Sequence, residues 1–105
     1  MKYLLEKISA IEPLGGYRVQ VAFPDGFAAS VDLAPLLSEG PIFDPWRDPK
    51  FFAAVRVDHG VPVWSDELDL SPGSLRAWCE AGRVLSHDET DDWVAQHRVT
   101  PESVA

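Results

Sequence analysis

The residues best suited to chemistry lie together in Trp64-Ser65-Asp66-Glu67-Leu68-Asp69, three carboxylates beside an aromatic ring. Paired carboxylates can move protons for a substrate or hold a divalent cation through oxygen ligands. Such a site also needs a base partner, a nucleophile or further ligands, and nothing nearby supplies them. The plainer reading makes Asp66 and Glu67 solvated loop charges. It gives Asp69 to loop N–H groups ahead of a helix start at Ser71-Pro72.

The other reactive residue types point the same way. His59 follows Asp58 ahead of Gly60 and reads as a turn residue. His87 and His97 flank an acidic run at a spacing that matches no zinc pattern. Cys79 follows Trp78 on the apolar side of a helix and reads as a small hydrophobe. No Gly-x-Ser-x-Gly elbow occurs, and Gly15-Gly16 is a hairpin turn rather than a phosphate loop. No catalytic, cofactor-binding or metal-binding residue is assigned, and the chain reads as a protein without an enzymatic role.

The elements that would position these residues can be read from periodicity and punctuation. Tyr17, Val19, Val21 and Phe23 alternate on one face while Arg18 and Gln20 point away, the pattern of a sheet wet on one side. Asp25-Gly26 supplies the turn to a further strand over 27–31, and a first strand is expected over 8–11. Asp32 reads as a helix N-cap, with Leu33, Leu36 and Leu37 as the apolar stripe and Gly40 as the stop. Ile42, Phe43 and Trp46 fall in a proline-punctuated loop. Asp48-Pro49 and Ser71-Pro72 each repeat the cap-plus-proline start. Between them, 55–57 and 61–64 read as strands, the second at an edge because Pro62 lacks an N–H. The helix after Ser71-Pro72 carries Leu75, Trp78 and Cys79 and ends at Gly82. The expected fold class is α+β: a small antiparallel sheet in β-β-β-α-β-β-α order, helices on one face.

Residues 1–82 form that domain, and 83–105 an acidic tail. Ser86 with Glu89 matches a capping box, and Asp91 and Asp92 suit the positive end of a short helix. Trp93 either folds back on its own domain or docks into a second copy, making a homodimer.

With 46% hydrophobic residues in 105, the chain can bury a core without metals or disulfides. The single cysteine fits a reducing cytoplasm. Glu6 and Lys7 interrupt any leader-like run, and no stretch approaches the ~20 apolar residues of a membrane span. The net charge of −8 argues against contact with phosphates and membranes; its plainer role is to keep the domain soluble, and a basic protein partner stays open beside that.

The motifs Phe23-Pro24-Asp25-Gly26, Val31-Asp32-Leu33, Asp48-Pro49 with Phe52, and Trp64 followed by Asp69-Leu70-Ser71-Pro72 and Leu75 stand in a telling order. In that order, over residues 8 to 78, the chain resembles the bacterial family catalogued as domain of unknown function 2442. The resemblance implies a small cytoplasmic α+β domain with no established catalytic residues. Some members carry an added helix-turn-helix. Some are encoded beside a small protein of domain of unknown function 4160, an arrangement that looks like a toxin–antitoxin pair with this family as antitoxin. The short acidic tail departs from the helix-turn-helix members and argues against direct DNA binding.

The resulting expectation is a protein-binding domain without catalysis or cofactor, the acidic antitoxin-like member of a pair with a small basic protein. Its contact residues would be drawn from Trp64, Asp66, Glu67, Asp91, Asp92 and Trp93. The alternative is a small-molecule site or minor enzyme at the acidic loop near Trp64.

Overall fold

The computed structural model describes residues 7–97. Its strands divide into two three-stranded antiparallel sheets: β1 (Ala10–Gly15), β2 (Arg18–Ala22) and β3 (Ala28–Asp32), then β4 (Arg56–Asp58), β5 (Val61–Ser65) and β6 (Leu68–Asp69). Two 3-10 helices (Ala34–Ser38 and Pro41–Arg47) and α1 (Pro49–Ala53) link the sheets, and α2 (Pro72–Ala81) and α3 (His87–His97) follow. The class is α+β, with the strands in two sheets rather than one.

In the first sheet the register places Val19 opposite Val31 and Val21 opposite Ala29. Val19, Val21 and Val31 are buried and Arg18 is exposed, as the alternation requires. The β2–β3 loop closes with Phe23 N–H on Phe27 O and Gly26 N–H on Phe23 O. Gly26 stands there at φ 96°, which a side chain would oppose. The first strand begins later than expected and runs through Pro13. Proline is tolerated because β1 is an edge strand, and the register shifts between Pro13 and Gly15.

Several local expectations are corrected. Asp32 starts no α-helix: its Oδ1 accepts from Ala34 N–H at 2.9 Å, Leu33 is the N-cap, and a 3-10 helix follows. The segment Pro41–Arg47 is also a 3-10 helix, not an irregular loop, and buries Trp46. Pro62 lies in the central strand of its sheet. Its carbonyl accepts from Leu70 N–H, so its missing N–H faces the place where two-residue β6 has just ended. Asp69 sits on β6 opposite Val63 instead of bridging loop N–H groups.

Other starts are as the residues dictate. Asp48 Oδ1 accepts from Lys50 N–H at 3.0 Å, ahead of Pro49. Ser71 Oγ accepts from Ser74 N–H ahead of Pro72. The capping box at α3 is complete: Glu89 N–H donates to Ser86 Oγ and Ser86 N–H to Glu89 Oε1. Helix α3 packs on α2 in the same chain, where buried Trp78 Nε1 donates to Thr90 Oγ1 at 3.0 Å.

The core centres on aromatic rings. Trp46 touches Phe43, Phe52 and Trp64, with ring centroids 4.8–5.0 Å apart. Trp64 Nε1 donates to Phe52 O at 2.8 Å, while buried Trp46 Nε1 has no partner among the described residues. The two indoles therefore respond differently to the same trimming. Trp64→Phe abandons a buried hydrogen bond, whereas Trp46→Phe removes an unpaired donor, a difference of about 1–3 kcal/mol. Urea unfolding is expected to show the larger loss in Trp64→Phe, and equal losses would contradict the assignment.

Candidate functional site

The residues nominated for interaction do not converge. Trp64 is buried in the aromatic core, so the Asp66-Glu67 turn loses the ring that would have walled a ligand or catalytic site there. Asp66 and Glu67 stand exposed between β5 and β6, with Glu67 N–H on Ser65 Oγ at 3.3 Å. Asp91 and Asp92 are exposed on α3, while Trp93 is half-buried against the core of its own chain. His59 occupies the tight β4–β5 turn at φ 53°, its Nδ1 2.7 Å from Asp58 Oδ1. Among the described residues no three metal-ligating side chains gather.

Cys79 is buried on α2, and that burial pushes its thiol up to about 11. A group so reluctant to ionise is a poor nucleophile at neutral pH.

The charged groups that do converge surround Arg76. Its guanidinium meets both carboxylate oxygens of Asp25, with Nη2 at 2.9 Å from Oδ2, and its Nε donates to Glu80. The same group lies over the rings of Phe23 and Phe27, 4.8 and 4.5 Å from their centroids. One side chain of α2 thereby holds the tip of the β2–β3 hairpin. The Arg76 bond, and then Phe27 N–H, hold the Asp25 carboxyl below the usual range. A pKa depressed on folding stabilises the fold above the unfolded value of about 3.9, and that contribution fades as pH falls through the lower folded value.

The remaining charge is laid out unevenly. Arg47 pairs with Asp44 and Arg83 with Glu89. Lys7, Lys50 and Arg56 are exposed and have no ion-pair partner among the described residues. They lie ahead of β1, on α1 and on β4, and β1 contacts both α1 and β4. Lys7 lies across Gly60, where a Cβ would come within 2.7 Å of it. Gly60 is also at φ 85°, so both space and backbone exclude a side chain there. Helix α3 carries Asp88, Glu89, Asp91 and Asp92 without a Lys or Arg, half of the net −8. Composition and net charge do not single out these cations. The available signal was that Lys50 has no carboxylate three or four positions away to pair with.

No protein-family model matches the chain. No curated protein matches it either. The chain is similar to the crystal structure of a "Putative DNA Binding Protein" from Nitrosomonas europaea, with a TM-score of 0.65 and 30% identity over 90% of this chain. The chain spans 62% of that protein's length.

This likeness overturns two expectations. One is the protein-binding, antitoxin-like role beside a small basic protein. The other is the exclusion of direct contact with nucleic acid. The physical reason is that the net charge of −8 is not spread over the whole surface: half of it sits on α3.

The Arg76 contact has its own test. In Arg76→Met the Asp25 carboxyl, followed by carbon NMR through an acid titration, is expected to rise toward the ordinary aspartate range, with the Phe27 N–H bond still lowering it. An unchanged low midpoint would show that Arg76 is not the cause.

Proposed function

We propose that this chain is a DNA-binding domain that meets the phosphate backbone through Lys7, Lys50 and Arg56. The observation that carries the reading is its likeness to the Nitrosomonas europaea protein across nine-tenths of its length. The charge layout supports it. Phosphate contact is made by Lys and Arg side chains that displace counterions, and a cation already paired with a carboxylate has less to offer. Arg76, Arg83 and Arg47 are so paired, and Lys7, Lys50 and Arg56 are not. The acidic helix α3 would face away from the duplex, since its carboxylates repel phosphate.

No helix among the described residues is long and apolar enough to cross a membrane. A cytoplasmic location fits the DNA reading and the single cysteine. Kinship with domain of unknown function 2442, implied by the order of the Phe23–Gly26, Asp48-Pro49 and Ser71-Pro72 motifs, is part of the same proposal.

Fluorescence anisotropy of a labelled duplex tests it. Three phosphate contacts give a slope of roughly −2.7 in log affinity against log salt, or a roughly 40-fold loss between about 50 and 200 mM. Lys50→Gln with Arg56→Gln is expected to flatten that slope to roughly −0.9. Absence of binding at about 50 mM salt, or a slope indifferent to the two substitutions, would contradict the proposal.

A further inference from the structure

A groove of about 210 Å³ lies between the 3-10 helices and the corner formed by α2 and α3. Its floor is apolar, made by Leu36, Phe43, Trp78 and Leu85. Its rim carries two carboxylates on separate elements, Glu39 after the first 3-10 helix and Asp91 on α3. The volume falls below the 300–1,000 Å³ of sites for drug-sized ligands, so a small occupant is required.

Donors and acceptors decide its chemistry. The indole N–H of Trp78 is already given to Thr90 Oγ1, and the Thr90 hydroxyl proton goes to Ser86 O at 2.8 Å. The Glu39 side chain has no hydrogen-bond or ion-pair partner among the described residues. Asp91 has only His87, whose Nε2 stands 4.0 Å away, beyond hydrogen-bond reach. The donors left in the groove are the Ser74 hydroxyl and the His87 ring, against two carboxylates and the remaining lone pair of Thr90. A phosphate, nucleotide or carboxylate would meet like charge here. An apolar body with a cationic head would meet complementary surface at both ends.

We propose that this groove binds small organic ammonium ions. The apolar body rests on Phe43, Trp78, Leu36 and Leu85, and the ammonium donates to Glu39 and Asp91. Because these carboxylates belong to different elements, an occupant would tie α3 to the first 3-10 helix. The inference does not depend on the DNA reading, since none of its residues is among the cations assigned to phosphate.

The test uses 2-phenylethylammonium as probe and 2-phenylethanol as its neutral counterpart, followed by nitrogen–proton NMR. At about 10 mM the ammonium is expected to shift the Trp78 indole and the Thr90 amide, with affinity near the millimolar level. The alcohol should bind about tenfold more weakly, and Glu39→Gln with Asp91→Asn should weaken the ammonium by about as much. Both positions are exposed, so the doubly substituted protein keeps its fold, which an unchanged spectrum elsewhere would verify. Equal binding of alcohol and ammonium, binding that survives both substitutions, or no shift at Trp78 and Thr90 would overturn the proposal.

Discussion

Trp64 gives its indole N–H to the carbonyl of Phe52 and lays its ring against Trp46, and that contact joins the two halves of the fold. Small sheets of three short strands need a packed face for stability, and neither sheet has one alone. Phe52 provides the common ground. It meets Trp64 from β5, Trp46 from the second 3-10 helix, and Tyr17, from the β1–β2 turn, edge-on at 5.2 Å. The short α1 therefore places a ring where both sheets can reach it. Its cap at Asp48 and its proline at Pro49 fix where that ring falls.

With aromatic rings supplying the core, the charged residues divide into two groups. Some act within the fold. Arg76 clamps the hairpin tip through Asp25, Phe23 and Phe27, and Arg83 braces the capping box through Glu89. Others have no such duty: Lys7, Lys50 and Arg56 on one set of touching elements, and Asp88 and Asp92 of α3 on another. Three cations without an ion-pair partner can therefore reach phosphate in a protein of net −8 if its acidic helix faces elsewhere. The proposed DNA contact draws support from that separation, beside the likeness that carries it.

What was legible in the sequence was what local chemistry decides. Ser71-Pro72, Asp48-Pro49 and the Ser86–Glu89 box each act within four residues, and each stands where the residue types place it. The alternation of Val19 and Val21 likewise marks a half-buried strand. What was not legible depends on partners far away in the chain. Asp25 and Arg76 are 51 positions apart, so no window of periodicity joins them. β6 has two residues, too few to show a period, and Pro62 is central only because β6 ends beside it. Trp64 is a candidate contact in the sequence because it ends an expected edge strand beside the acidic loop, whereas in the fold its N–H meets a buried carbonyl. For the site, composition averaged the charge over the chain, and only the fold shows which cations remain unpaired.

The most direct test of the central claim is a nitrogen–proton NMR titration of the protein with a short duplex at low salt. The account predicts shifts concentrated at Lys7, Lys50, Arg56 and their neighbours on β4 and α1, with α3 undisturbed. Shifts centred on α3, or none at all, would contradict it.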